Sequence, residues 1–341
     1  MVKYRNESID ILRGLAMLFV IFQHTMSGVT VGAEQSFVFN IAWSLQMPLF
    51  ILISGYITKY SRPIQTLSAL GKVACKKTVA YMCPWLVWTF LVRGLLLGQT
   101  SFFDLKYILW KMDSGYWFLA TIWVISLIYS CASFVAEQMN SKYLIKKQII
   151  FVGVYILGML VLVAVGLLFG ISFFAIKLTL YYMPFYYAGY LYGQCEDKVK
   201  TLNLGKTIID VTVAICLGVW LFIVLRYSVF DMSDSGIDII FRVFTSLAGC
   251  IAISGLVSNL FENTTGGGAL KWVGVHSLEI YLSHYLLLGL IKLPNVPQAV
   301  SYQGILLIVI NYLLTVGLTM MVVQIVNQNA LLKRILFAKV K

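Results

Sequence analysis

Ten stretches of about twenty apolar residues recur along the chain, and they decide what it can fold into. They run near 8–30, 37–60, 78–97, 116–136, 148–169, 173–192, 207–225, 238–260, 277–293 and 302–326. A bilayer's hydrocarbon core is about 30 Å thick, which a helix of ~20 residues crosses. In hydrocarbon every backbone N–H and C=O must be bonded within the protein, so only helices and closed barrels span it. No run of about ten residues alternates with period two, which argues against a barrel. The sequence therefore predicts an all-α, polytopic membrane bundle of about ten transmembrane helices. Composition points the same way: of 341 residues 60% are hydrophobic and 12% charged, whereas soluble domains carry about 25% charge. A soluble enzyme of ordinary type, a disordered chain and a disulfide scaffold are all excluded.

The formal net charge is +12, and its placement matters more than its size. With the N-terminus inside, 17 of the 26 Lys and Arg residues fall in cytoplasmic segments, from Lys3 and Arg5 to Lys333, Arg334, Lys339 and Lys341. Lys142 is among them. Four (Lys106, Lys111, Arg226 and Lys292) fall in outer segments. This bias predicts that both termini face the cytoplasm. It also removes the nucleic-acid reading of a basic chain, since the charge marks one membrane face. No outer loop exceeds about 20 residues, so residues 1–341 are expected to form a single membrane domain without a fused soluble one. None of the six Cys residues falls in an outer loop, which predicts free thiols. The first span has a signal-peptide-like apolar run, Gly14–Phe22, but its polar residues favour a retained helix. Segment 98–115, with Phe102, Phe103, Tyr107, Ile108 and Trp110, reads as an interfacial amphipathic stretch. Gly266–Gly268 reads as a flexible inner loop, not a phosphate-binding one.

Ionisable residues within spans are costly in lipid and point to function. The first span holds Asp10, Arg13 and His24. Arg13 and His24 are eleven residues apart, about 20° past three full turns, so they share a face some 16.5 Å apart along the axis. Asp10 lies one turn below Arg13 and is placed to pair with it. In the ninth span Ser277, Tyr281 and His284 share a face. An inward-to-outward run places His284 in the inner half of the membrane and His24 in the outer half.

Several motifs together carry a resemblance. They are Ile9-Asp10-Ile11-Leu12-Arg13-Gly14-Leu15-Ala16 followed by His24, then Met47-Pro48-Leu49-Phe50 with Ile53-Ser54-Gly55-Tyr56. Trp117-Phe118-Leu119 and Gly274-Val275-His276-Ser277-Leu278-Glu279-Ile280-Tyr281-Leu282-Ser283-His284 complete the set. The chain resembles the acyltransferase-3 family of integral-membrane O-acyltransferases over nearly its whole length, in the branch of fucose and polysaccharide O-acetylases. Two departures stand out. Gln46 replaces the His that often precedes the Met-Pro pair in that branch, and Lys72, Lys76 and Lys77 stand where relatives carry Arg-rich stretches.

The resemblance implies acetyl transfer from cytoplasmic acetyl-CoA to a hydroxyl of a cell-surface or exported glycan, or its lipid-linked precursor. It implies a bacterial cytoplasmic membrane and partners limited to acetyl-CoA, the glycan and the bilayer, with no metal and no nucleic acid. A carbohydrate hydroxyl needs a base to attack a thioester, and imidazole suits that task. His24 is the candidate base or acyl relay, with Arg13, held by Asp10, at the donor site and His284 orienting the donor or extending a relay. Arg13, Lys72, Lys76 and Lys77 form a cationic inner mouth for the donor's phosphates, joined by Ser54, Ser277 and Tyr281. Trp117, Tyr116, Arg93 and Glu279 are candidate contacts to the glycan. The competing readings are a transporter or flippase of a sugar conjugate and an inactive membrane-assembly partner. A reporter fused to the C-terminus is expected to be cytoplasmic. A periplasmic signal would overturn the even span count.

Overall fold

The computed structural model describes residues 7–112, 116–139, 144–202, 205–261 and 267–339. Lys3, Arg5, Lys142, Lys341 and Gly266 lie outside the described residues. Among the described residues the chain is helical, and the isolated bridge between Val31 and Gln298 is the nearest thing to a strand. Among the described residues thirteen α-helices follow in order. They are α1 (Glu7–Val29), α2 (Phe37–Tyr56), α3 (Leu67–Leu86), α4 (Leu105–Trp110), α5 (Trp117–Gln138), α6 (Leu144–Phe169) and α7 (Ile176–Lys200). The rest are α8 (Gly205–Arg226), α9 (Gly236–Phe261), α10 (Gly268–Val275), α11 (Ser277–Ser283), α12 (Tyr302–Gln328) and α13 (Ala330–Phe337). A π-helical stretch, Val87–Leu96, prolongs α3, and a 3-10 turn, His284–Leu287, prolongs α11.

Eight helices among the described residues are long and apolar enough to cross a bilayer. The other two expected spans differ in kind. The stretch 173–192 becomes α7, whose tyrosines and charged end, Glu196-Asp197-Lys198, make it more polar than its neighbours. The stretch 277–293 is helical only as far as Leu287, as the end of a broken helix that starts earlier, at Gly268, and is interrupted at His276 (φ −104°, ψ 17°). Segment 98–115 forms a short 3-10 turn and α4; Phe102 and Ile108 are buried while Phe103 is exposed, as an amphipathic stretch requires. Gly267 caps α10 with positive φ (81°), so the glycine loop ends as a helix start. All six cysteines are free thiols.

Two compact units form. The first comprises Met1–Lys59 and Phe185–Ile325, the second Tyr60–Pro184 and Val326–Lys341. In the second unit α5 packs on α3 and α6. The terminal α13 docks there through Trp88 Nε1, which donates to the Leu336 carbonyl (2.8 Å), and through Phe337 stacked on Trp88. α6 turns Leu167 and Leu168 outward, 83% and 78% exposed, as a lipid-facing helix does.

In the first unit α1 is the hub, packed on α2, α9, α10 and α11. Its Ile11, Ala16, Met17, Val20 and Ile21 are fully buried. Small residues set the closest crossings, as is usual where lipid removes any hydrophobic drive between helices. A Cβ on Gly274 would lie 1.7 Å from the Asp10 carbonyl oxygen, and one on Gly14 would lie 2.1 Å from that of Leu270. The backbones of α1 and α10 therefore touch at a glycine pair. Gly55 and Gly189 do the same for α2 and α7, where an added Cβ would meet the Tyr186 and Leu52 carbonyls at 1.9 Å. Below that crossing Glu196 accepts from Tyr56 Oη and Lys59 Nζ, each at 2.6 Å.

Gly274→Ala is expected to lower the thermal unfolding midpoint in detergent, since forced overpacking costs about 1–3 kcal/mol. Gly28→Ala, where an added Cβ meets nothing within 4 Å, should match or exceed the wild type. Equal midpoints for the two variants would refute the close approach.

Candidate functional site

The glycine crossing sets a register. His24 lies ten residues beyond Gly14, and His284 ten residues beyond Gly274. Ten helical residues rise about 15 Å. The two helices run parallel from the crossing, so equal arms bring the two imidazoles to one level. His24 Nδ1 lies 3.2 Å from His284 Nε2, and the rings stack with centroids 5.3 Å apart. This corrects the expectation that His284 sits in the inner half and His24 in the outer. The helix bearing His284 begins at Gly268 rather than Ser277, which lifts His284 to the level of His24.

The hydrogen bonds assign the tautomers. His284 Nδ1 lies 2.7 Å from the Tyr281 carbonyl and 3.2 Å from that of Ile280. A carbonyl only accepts, so His284 Nδ1 carries the hydrogen. In a neutral His284, Nε2 is then an acceptor, and His24 Nδ1 must donate to it. That leaves the lone pair of His24 on Nε2, where the Tyr285 hydroxyl donates at 3.2 Å. One polar chain thus runs from Tyr285 through His24 and His284 to two backbone carbonyls. His284 is fully buried, whereas His24 and Tyr285 keep part of their surface.

The support comes from α12. Asn311 donates to the Ile291 carbonyl and accepts from its N–H, both at 3.0 Å. Thr315 Oγ1 donates to the Leu287 carbonyl at 2.9 Å. Together they hold the backbone that follows Tyr285. On the other side Gln46 Nε2 donates to Gln23 Oε1 (3.3 Å), beside His24 in sequence. Gln46 therefore stays in the neighbourhood of the site, as an amide rather than a ring.

Among the other expected residues, Asp10 is 5% exposed at the crossing with α10, and Arg13 is half-buried one turn on. Tyr281 is buried with its ring 5.9 Å from that of His284, while Ser277 lies at the start of α11. Glu279 is fully buried in α11, so it offers no surface to a glycan from outside. Ser54 turns back to its own helix, donating to the Phe50 carbonyl at 2.8 Å. Lys72, Lys76, Lys77, Arg93, Tyr116 and Trp117 belong to the second unit. Lys72 and Lys76 are exposed on α3, and Lys77 lies over the Tyr81 ring at 5.6 Å. Arg93 lies 4.2 Å over the Phe102 ring and donates to Gln99 Oε1 at 3.0 Å. Trp117 stacks on Tyr182 (5.5 Å). Tyr116 is 1% exposed and packs on Trp88, so the sugar-stacking expectation fails for it: no ring face is presented.

Sequence reasoning passed over Tyr285, Asn311 and Thr315. A trace of the last two was available, since a polar side chain in an otherwise apolar span usually has a partner. Tyr285 had no such mark, because its neighbour in sequence does not share its face in a regular helix. Tyr285 lies in the 3-10 turn that starts at His284, and its ring meets His24 with centroids 5.0 Å apart.

A family model described as an acyltransferase domain matches residues 6–324. No curated protein and no solved structure matches the chain. The tautomer assignment has a direct test in the 15N spectrum of histidine-labelled protein. His24 is expected as the Nδ1–H form, and His284→Ala should turn it into a mixture of tautomers. An Nε2–H form in the wild type would break the assignment.

Proposed function

The chain belongs to the acyltransferase-3 family and is a multi-pass membrane acyltransferase; on that premise we propose that it is an O-acetyltransferase of a bacterial cytoplasmic membrane. It moves an acetyl group from cytoplasmic acetyl-CoA to a hydroxyl of a cell-surface or exported glycan, or of its lipid-linked precursor. The observation that carries this reading is the contact of His24 Nδ1 with His284 Nε2 at 3.2 Å, in a chain that ends on the Tyr281 carbonyl and leaves His24 Nε2 as the acceptor.

The acceptor hydroxyl approaches Nε2 and loses its proton there as its oxygen attacks the thioester carbon. The imidazolium formed donates from Nδ1 to His284 Nε2, a bond that charge strengthens. His284 Nδ1–H, bonded to two carbonyls, passes part of that charge to the backbone. His284 therefore orients the base and stabilises its charged form, as a carboxylate does in a serine-hydrolase triad. Expulsion of the CoA thiolate returns the proton from Nε2 to sulfur. Arg13 stands on the same face of α1, about 16.5 Å below His24. That spacing suits a donor whose phosphates stay at the cytoplasmic mouth while its thioester reaches inward.

Mass spectrometry of surface glycans tests the proposal. Deleting the protein, or replacing it with His24→Ala, should remove one acetyl mass while the glycan itself persists. Loss of a general base lowers the rate about 10²–10⁴-fold, so the acetyl signal should fall below detection while the variant still inserts normally. Disappearance of the whole glycan would replace acyl transfer with transport.

A further inference from the structure

We propose that Gln46 is a specificity-determining residue for the acceptor: its side-chain carbonyl accepts a hydrogen bond from a hydroxyl neighbouring the one that is acylated. The inference rests on the acetyltransferase reading and deepens it, since it makes the acceptor a polyhydroxylated group held at two oxygens.

Direction in a second polar chain fixes which atom of Gln46 is left over. Ser27 Oγ donates to the Gln23 backbone carbonyl at 3.2 Å. A carbonyl only accepts, so the Ser27 hydrogen is committed there, and its oxygen meets the Gln23 side chain, at 3.3 Å, as an acceptor. Gln23 therefore turns Nε2 to Ser27 and Oε1 to Gln46. Gln46 answers with Nε2, again at 3.3 Å, and its own Oε1 is what remains. That oxygen is buried and has no hydrogen-bond partner among the described residues; the whole residue is 6% exposed. Buried polar atoms are paired in nearly all native structures, because losing water without gaining a partner is costly. Tying α1 to α2 accounts for the Gln23–Gln46 bond, but not for the second oxygen. The leftover atom calls for a donor from outside the chain.

Two features assign that donor to the acceptor rather than to acetyl-CoA. Gln23 immediately precedes His24 on α1, so the Gln46 carboxamide, one hydrogen bond from Gln23, lies in the neighbourhood of the base. A sugar whose reacting hydroxyl rests on His24 Nε2 carries further hydroxyls close by, and a hydroxyl is a donor that a carbonyl oxygen takes. The chain also has an open end. Ser27 is exposed, Gln23 half-buried and Gln46 buried, so a line of polar groups runs inward from the surface. It begins at Ser27, on the far side of His24 from Arg13 along α1. The donor's phosphates belong at Arg13 in the acetyltransferase reading, which leaves this end to the acceptor. Incoming hydroxyls exchange water for Ser27 and Gln23, and one of them stays on Gln46. An acceptor without a second hydroxyl leaves Oε1 unpaired, and a site with a buried group left unpaired discriminates against it. A sugar turned so that the wrong hydroxyl meets His24 does the same, which is how the residue selects a position.

The test reads where the acetyl groups sit on the native glycan, by proton NMR of material from cells carrying the wild type or a variant. It also reads the KM for acetyl-CoA in membranes of the same cells, with the endogenous glycan as acceptor. Gln46→Met keeps the length and removes the accepting atom. It should lower the preference for the native position about tenfold and leave the acetyl-CoA KM within about threefold. Gln46→Glu presents, in its neutral form, a donor to Gln23 and a carbonyl in place of Oε1, so it should keep more of the native preference than Gln46→Met. Wild-type position and level in Gln46→Met overturn the proposal. So does an effect confined to the acetyl-CoA KM, which would give the oxygen to the amides of the donor's pantetheine arm. A purely structural role overturns it too: acetylation would then fall equally in both variants with the position unchanged. Should Gln46→Met not insert, Gln23→Leu decides. It leaves Gln46 in place without the partner that orients it; a relaxed preference supports the proposal, and a retained one overturns it. Failure of the acetyltransferase reading looks different: deleting the wild-type protein would then leave glycan acetylation the same.

Discussion

The contact between Gly14 and Gly274 governs the site. Each glycine lies under a backbone carbonyl of the opposite helix, at a distance no Cβ can share. Because the helices run parallel from that point, the crossing acts as a common origin for measuring along both. Ten residues on each side lead to an imidazole. A shift of one helix by a single residue would move its ring about 1.5 Å along the axis and turn it by about 100°. Either displacement would break the 3.2 Å contact between His24 and His284.

The polar chain built on that register has a direction. It starts from backbone carbonyls, which only accept, and this orders each following group in turn. The ordering delivers a lone pair to Nε2 of His24 without any carboxylate in the chain. An imidazole oriented by a neutral partner carries less charge in a low-dielectric bundle than one oriented by Asp or Glu, and buried charge is what such an interior penalises most. The same logic explains why α12 contributes Asn311 and Thr315. The broken helix leaves backbone groups around Leu287 and Ile291 without helical partners, and a membrane interior does not tolerate unpaired ones.

Much of the fold was legible in the sequence. Apolar stretches of the length of a bilayer can only be helices, and the spans of α1, α2, α5, α6, α8, α9 and α12 lie where those stretches predict. Of the other three, the stretch 78–97 starts earlier than predicted, because α3 begins at Leu67 and runs through its π-helical continuation to Leu96, and the remaining two have physical reasons. α7 trades apolarity for tyrosines and a charged end, and the helix carrying His284 breaks at His276, so its start lay hidden in a glycine-rich connection. Within the site, the shared face of Arg13 and His24 follows from helical period alone. The burial of Tyr116 did not, because an aromatic at a helix start reads the same whether it faces a ligand or Trp88.

The sequence by itself determined that this chain is a polytopic helical membrane protein, and the family to which it belongs. It also marked the first helix as the place where charge survives within the apolar spans, because period and hydrophobic length are local properties. Only the tertiary structure decided that His24 and His284 meet, which nitrogen of each carries the hydrogen, and that Tyr285 caps the pair. Those facts depend on where two helices 260 residues apart in sequence cross, and no local pattern encodes a crossing point. Two glycines permit it, and the packing of the whole first unit selects it.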